Sequence, residues 1–327
     1  MADFDALAEA GEDRRRFLRA QWFTGSQRHM LRDDEGEPQA AVALADRRKG
    51  PLTLREVGGA YWPYRGVPIA PDTSSVQLAR ALSASQSELG RVWRLGPIIG
   101  RDRQVATLVD AARQAGWRVL TRTVGQSFVI DLKALKSQGN WPSTKGAQKD
   151  RWRVRQMAKT GPVAIRWFSG TDWTVQDRDD IAAIEASSWV GQLASGGDTK
   201  FHDPAMRCYW ETVAGDPAIA AMIGGMIMTV GDRPVAFTFG LDCGTTRYCI
   251  ANNFDREFSR HSPGRVLLYA DFEAAWGRGI ERIDWGLGDA GYKSEMGAHP
   301  DADMLDLLFV RGRVLPTLLR RWWERAA

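Results

Sequence analysis

Residues 252–298 read NNFDREFSRHSPGRVLLYADFEAAWGRGIERIDWGLGDAGYKSEMGA, and this stretch decides the fold. A polar loop ends in Ser262-Pro263-Gly264 and opens directly into a segment with helical spacing, over 264–278. Ser262 suits the cap and Pro263 the first turn. Gly277-Arg278-Gly279 ends the helix. A short strand is expected at 281–286, with Ile283 and Trp285 on one face and Asp284 on the other. A glycine-rich loop then leads to Tyr292-Lys293. A bare helix N-terminus after a tight turn attracts anions, because its first amides have no intrahelical acceptor and the helix dipole is positive there. The expectation is that amides of Gly264, Arg265 and Val266 approach a phosphate-bearing donor. Arg265 would add a charge-assisted contact. The competing reading is an ordinary capped helix start.

Working outward, 327 residues suggest two domains of ordinary size. The apolar share of 44% and charged share of 26% are those of a globular protein, and the net charge is only +4. The distribution is more telling. Lys145, Lys149, Arg151, Arg153, Arg155 and Lys159 crowd one helical stretch against Asp150 alone. Arg311, Arg313, Arg320, Arg321 and Arg325 face only Glu324 at the C-terminus. With slight aromatic interleaving and no nucleic-acid motif, the basic helix argues for a solvated or phosphate-gripping face rather than nucleic-acid binding. Cys208, Cys243 and Cys249 have no metal-ligand spacing, and the four histidines are scattered, so neither a metal site nor a disulfide framework is expected. The N-terminus lacks a signal-peptide core and no apolar run approaches the ~20 residues of a membrane span. A cytoplasmic protein is expected. Leu318, Leu319, Trp322 and Trp323 can share one face of a C-terminal helix ringed by arginines, which suggests peripheral contact with the inner membrane face. A helix docked on its own domain is the alternative.

The spacing predicts helices over 4–22, 74–85, 102–115, 145–159, 175–190, 203–213 and 264–278, with a C-terminal helix. Strands are expected at 39–45, 51–57, 66–70, 92–95, 117–122, 127–131, 163–168, 219–230, 233–242, 246–253, 281–286 and 303–310. Pro63 punctuates the first half, a linker falls at 136–145 around Gly139, Asn140 and Pro142, and a glycine-rich loop covers 191–197. The units 108–122 and 270–285 both read helix, glycine stop, strand, which suggests duplication. Alternating helices and strands give an α/β (α+β) fold, with domains at 1–140 and 141–327.

The order of these pieces resembles the GNAT superfamily of acyltransferases. The CelD-like acetyltransferase group and the Fem-type peptidyl transferases, which carry two GNAT-like domains in tandem, are the nearest likenesses. The pieces are KGAQKDRWRVRQMAKTG, IEASSWVGQ, DPAMRCYWETVA, GDRPVAFTFGLDCGTTRYCIANNFD, SPGRVLLYADFEAAWGRG and DWGLGDAGYKSEMG. The resemblance covers about 145–310; the first 140 residues match in layout only. It implies two tandem mixed sheets flanked by helices, a degenerate N-terminal domain, and acyl-coenzyme A or an acyl-carrier thioester as co-substrate. It also implies a primary-amine acceptor of envelope type, an amino sugar, polysaccharide precursor or lipid amine such as a sphingoid base. Fem-type relatives use aminoacyl-tRNA instead, so a tRNA-dependent peptidyl transferase is one alternative; a non-catalytic nucleotide-binding regulator on a GNAT scaffold is the other. The usual phosphate loop, Gln/Arg-x-x-Gly-x-Gly/Ala, overlays on His261-Ser262-Pro263-Gly264-Arg265-Val266. The central glycine is kept, the ends are not, and Pro263 removes one amide donor.

Acyl transfer to an amine needs a base for the incoming nitrogen, a donor for the oxyanion and an acid for the leaving sulfur. Tyr292 suits the acid. Lys293 suits the oxyanion or a phosphate, as the lysine of the corresponding Fem-type loop does. Asp289, Asp284, Glu185 and His202 compete for the base, and water can relay the proton. Met222, Met226 and Met228 could line an acyl tunnel or fill ordinary core.

Overall fold

A computed structural model describes residues 2–49, 52–59, 65–139, 141–193, 198–289 and 291–325. Pro63, Asn140 and the 194–197 part of the glycine-rich loop lie outside the described residues. The chain runs α1 (Ala2–Ala10), β1 (Gln27–Arg32), β2 (Pro38–Lys49), β3 (Leu52–Val57), α2 (Ser75–Ala84), α3 (Gln86–Leu89), β4 (Val92–Ile99), α4 (Arg103–Gln114) and β5 (Trp117–Asp131). It continues through α5 (Leu132–Ser137), α6 (Thr144–Met157), β6 (Val163–Ser169), α7 (Val175–Ser187), α8 (Pro204–Val213), α9 (Pro217–Met222), β7 (Ile223–Val230), β8 (Arg233–Cys243) and β9 (Thr246–Phe254). Then come α10 (Pro263–Gly277), β10 (Arg282–Leu287), α11 (Tyr292–Glu295), β11 (His299–Arg311) and α12 (Leu315–Arg325).

Two compact units result: Met1–Phe128 with Pro300–Ala327, and Val129–His299. They are divided differently from the expected 1–140 and 141–327. β11 forms an antiparallel ladder with β4, from Met304 opposite Ile99 to Val310 opposite Val92, so the C-terminal strand folds with the first unit. Linker composition cannot reveal a ladder between strands so distant in sequence.

Both units carry a mixed sheet flanked by helices. The first has the strand order β1-β2-β3-β4-β11-β5. Its antiparallel meander β1–β3 continues through α2 into β4, which lies parallel to β3. The second has the order β10-β9-β8-β7-β6. Its antiparallel run β6–β9 continues through α10 into β10, parallel to β9. The plan therefore occurs twice, but the counterpart of α10–β10 is α2–β4 rather than the 108–122 unit. Helix, glycine, strand marks any helix-to-strand turn and carries no information on pairing.

Other elements depart from expectation for local reasons. Asp216 caps α9 and Pro217 occupies its first turn, so 219–222 is helix rather than strand. The helix expected over 4–22 ends at Ala10, and short 3-10 turns at Asp13–Arg15 and Ala20–Phe23 follow. The two strands expected within 117–131 are one. Residues 66–70 contribute a single bridge, Ala40 to Ile69, and β1 was not foreseen.

In the second unit α6 and α10 close over the sheet. Met157, Met226, Met228, Val230, Val235, Ala236, Val266 and Leu267 form one buried cluster. Met226 and Met228 are thus core, and the tunnel reading falls away. Met222 is half-buried, and its sulfur accepts from Cys243 Sγ at 3.7 Å. Arg247, fully buried, fixes α10 to the strands. It bonds Asp271 on α10 (3.1 Å), Asp242 on β8 (2.5 Å) and the carbonyl of Gly224 on β7 (3.0 Å). In the first unit Leu120, Leu308, Val310 and Trp323 cluster with Leu315 and Leu319, which docks α12. No described helix is long and apolar enough to cross a membrane.

Candidate active site

The site begins with a defect in β9. Gly240 pairs with Cys249 and Phe239 with Ala251, so Ile250 is an extra residue, a bulge that bends the strand. On its other edge β9 pairs with β10 over three positions, Arg282 with Thr246, Ile283 with Arg247 and Asp284 with Tyr248, where the register ends. The ladder stops at Tyr248 and Asp284, leaving an unladdered gap between Cys249–Asn252 on one arm and Trp285–Leu287 on the other.

The loop after β10 lies against this gap. Gly288 and Gly291 take φ of 66° and 92°, a region that admits glycine at little cost, and turn the chain into α11. Asp289 holds that turn. Its Oδ1 accepts the amides of Gly291 (2.8 Å) and Lys293 (3.1 Å), and its Oδ2 accepts the Ser294 amide (3.2 Å) and hydroxyl. The Ser294 hydroxyl leads these bonds in pulling the carboxyl below the usual aspartate range. Asp289 is therefore a weakened base that anchors the loop.

Lys293 is buried. Its ammonium donates to the carbonyls of Trp285 (2.8 Å) and Leu287 (3.1 Å), at the C-terminal end of β10. Burial lowers its pKa, against the pull of Cys249, Asp289 and Asp284. Tyr292 is 39% exposed and packs edge-on against Trp285, with ring centroids 5.5 Å apart. Its hydroxyl bonds the side chain of Asn252 on the opposite arm of the gap. Burial pushes the phenol up to about 12, with Cys249 and Asp289 adding to the rise, so it keeps its proton at neutral pH.

The start of α10 reaches the same loop. Arg265 Nη1 donates to Glu295 of α11 at 3.0 Å, and its guanidinium lies 5.4 Å above the Tyr269 ring. Ser262 is the sole positive-φ residue other than glycine among the described residues (φ 47°, ψ 53°), and its side chain makes no cap. Its carbonyl accepts the amides of Arg265 (3.1 Å) and Val266 (3.3 Å). Of the three amides expected to meet an anion, two are thus engaged, which leaves Gly264, packed beneath the Phe254 ring. Positive charge gathers here nonetheless. α6 packs on α10 and on the Arg256–His261 turn, and burial, Arg260 and Lys159 together lower the His261 pKa.

The other candidate bases have partners of their own. Glu185 is buried at the end of α7. Its oxygens accept the amides of Lys200, Phe201 and His202, each at 2.8 Å. Burial raises its pKa despite these three bonds. His202 is brought to Glu185 through its backbone, with its own side chain exposed. Asp284 is buried and accepts the Gly286 amide at 3.0 Å. Contacts of α11 and the loop before it therefore link Tyr292, Lys293, Asp289 and Arg265, while Glu185 and His202 meet at the end of α7. The reading of residues missed Asn252, Cys249 and the Ile250 bulge. The polar pair Asn252-Asn253 directly after the apolar run 248–251 was the available signal. Among the described residues no group of three or more His, Cys, Asp or Glu could hold a metal.

Residues 145–294 match the family described as Acetyltransferase (GNAT) domain. This segment is a GNAT acetyltransferase domain, and the chain is a transferase of N-acyltransferase class. Solved structures share the fold over nearly the whole chain. FemX superposes with a TM-score of 0.62 at 10% identity, covering 98% of each chain. The C-terminal DUF2156 domain of an Agrobacterium fabrum protein, provisionally assigned as lysylphosphatidylglycerol synthetase, gives 0.55 at 14% identity over 97% of this chain and 92% of that one. A tandem GNAT protein of the clavulanic acid biosynthesis pathway gives 0.52 at 11% identity, covering 95% of each. No curated protein matches the chain significantly in sequence.

Proposed function

We propose that this GNAT protein moves an acyl group from a thioester, acyl-coenzyme A or acyl-carrier, to the primary amine of an envelope-associated acceptor. The acceptor class is an amino sugar, a polysaccharide precursor or a lipid amine such as a sphingoid base. The observation that carries the reading is the gap between β9 and β10 with the Tyr292 phenol at its edge. The thioester lies in the gap, where β9 amides beyond Tyr248 face its carbonyl oxygen. The neutral amine attacks the carbonyl carbon, and the C–N bond forms as charge moves to that oxygen. Collapse breaks the C–S bond. The phenol of Tyr292 gives its proton to the departing thiolate and is reprotonated from solvent, and the amine proton leaves through water. Asn252 holds the phenol in place. Lys293 acts as a positioning residue: by tying the β10 carbonyls to α11 it sets where Tyr292 stands. Alignment of the two substrates supplies much of the rate.

A second reading has its own support. Lys145, Lys149, Trp152 and Arg155 are exposed, and the helical repeat places them along one row of α6, with exposed Lys159 just past its end. Such a row suits aminoacyl-tRNA, the donor of Fem-type enzymes, and lysyl transfer to a lipid is what the name of the Agrobacterium relative describes. One experiment separates the two. Purified protein is given a panel of acyl-coenzyme A and acyl-carrier donors with amine acceptors, and free thiol is measured. Amine-dependent thiol release is expected. If no thioester yields thiol or raises the melting temperature, while charged tRNA loses its amino acid in a strongly salt-dependent way, the thioester reading is wrong and the second holds.

A further inference from the structure

We propose that α12 is a preformed platform that seats the protein on an anionic lipid bilayer. The sequence reading placed Leu318, Leu319, Trp322 and Trp323 on one face; the structure divides them between two rows. Leu315, Leu319 and Trp323, one turn apart in succession, face inward onto Leu120, Leu308 and Val310. Arg122 locks this row. Its guanidinium lies 4.0 Å over the Trp323 ring, its Nη1 donates to the Trp323 carbonyl (3.4 Å), and its Nη2 bonds Asp306 at 2.8 Å. The Asp306 carboxylate is fully buried and also takes Arg94 Nε at 2.8 Å, so the helix cannot roll to hide its other apolar row.

That other row is Val314, Leu318 and Trp322, spaced four residues apart and exposed by 68%, 67% and 46%. Arg313, Arg320 and Arg321 are exposed around it, with Glu324 the one acid of the helix. Three apolar side chains fall well short of the roughly 800 Å² per partner that a stable protein interface buries. They suffice for a shallow seat in the headgroup region, where tryptophan and leucine enter the acyl boundary and arginines meet lipid phosphates. The arginines select a negatively charged leaflet. This seat does not depend on which donor the active site takes, and binding is read without turnover.

The full chain is floated with vesicles of phosphatidylcholine alone and with phosphatidylcholine mixed with phosphatidylglycerol. Binding to the mixed vesicles and not to the neutral ones is expected. Arg320→Gln with Arg321→Gln should weaken partitioning about 30-fold, and raised salt should do the same. Leu318→Ser with Trp322→Ala should weaken it at least tenfold. Should either double variant melt early, the single change Leu318→Gln replaces it. Lys149→Gln with Arg155→Gln on α6 should leave binding intact. The proposal is overturned if the wild type ignores anionic vesicles at low salt, or if the α12 variants bind as the wild type does. It is equally overturned if the α6 variant alone loses binding, or if the Leu318/Trp322 variant converts a dimer to a monomer in the absence of lipid.

Discussion

Replacing Lys293 by methionine separates an anchoring ammonium from one that works on substrate. Methionine keeps the length and burial of the lysine stem and removes the charge and its donors. The carbonyls of Trp285 and Leu287, now bonded at 2.8 Å and 3.1 Å, would lose their partner. A hydrogen bond to a charged group contributes about 1.5–3 kcal/mol, and a buried acceptor left without a donor costs a comparable amount. Two such bonds give roughly 3–6 kcal/mol, and water reaching the loop returns part of it. A loss of about 3–4 kcal/mol is the expectation, or roughly 10 °C in Tm at 2–4 °C per kcal/mol for a domain of this size. Thermal and urea unfolding followed by circular dichroism measure it. The proton balance gives a second readout. Burial lowers the folded Lys293 pKa beneath the ordinary lysine value. Between the two values the unfolded chain holds more protons, so stability rises with pH across that window in the wild type and not in the methionine variant. If the variant melts at the wild-type temperature yet has no turnover, the anchoring assignment is refuted and Lys293 acts on the substrate.

Tyr292→Phe should lower kcat about 10²–10³-fold with KM and Tm nearly unchanged, because the ring keeps its contact with Trp285 while the proton donor is gone; steady-state kinetics and a melting curve decide it. Glu185→Gln should cost roughly 2–4 kcal/mol, since a side-chain amide turns donors toward three backbone N–H groups that now share two carboxylate oxygens. Burial raises the folded Glu185 pKa, so the folded state binds the proton more tightly. Wild-type stability should therefore fall as pH climbs from the ordinary glutamate value through the folded one, and denaturant titrations should show this slope vanish in the variant. Ser262→Gly should raise stability by about 1 kcal/mol by relieving a left-handed φ of 47°, and an unchanged or lower Tm would show that the serine is held there without strain.

The legible parts of this chain were those fixed by local chemistry. Ser74 with its box partner Gln77, Asp102, Thr174 and Asp203 cap helices where the sequence put them. Gly231 turns the β7–β8 hairpin. Pro263 opens α10 and the strand at 281–286 is β10. The illegible parts depend on pairing. Nothing in 299–311 announces that this strand ladders with 92–99, which is why the division of the chain differed from the expected one. The bulge at Ile250 is equally silent, since an extra residue in a strand looks like strand until its neighbours are known. The partners of Lys293 and Glu185 are silent in the same way. A sequence shows that a charge is present, and only the fold shows that backbone carbonyls or amides have already claimed it.

The α10 N-terminus bears most directly on the donor. A diphosphate is gripped by convergent amides because their geometry is fixed. Here Pro263 has no N–H, and Arg265 and Val266 donate to the Ser262 carbonyl, which leaves Gly264 to offer one amide. Arg265 is itself held by Glu295. What remains is charge on side chains, Arg260 and Lys159 near His261, whose pKa is lowered by burial first and by these two cations after it. Ammonium and guanidinium groups on flexible stems favour anions without demanding one shape. On the tRNA reading, the donor would set one phosphate near Gly264 and lay the rest along the exposed cations of α6. A free coenzyme A thioester must draw its affinity from the gap itself. Donor KM that climbs steeply with salt, by a power greater than a single contact explains, would favour a macromolecular carrier, and a flat response would favour the free thioester.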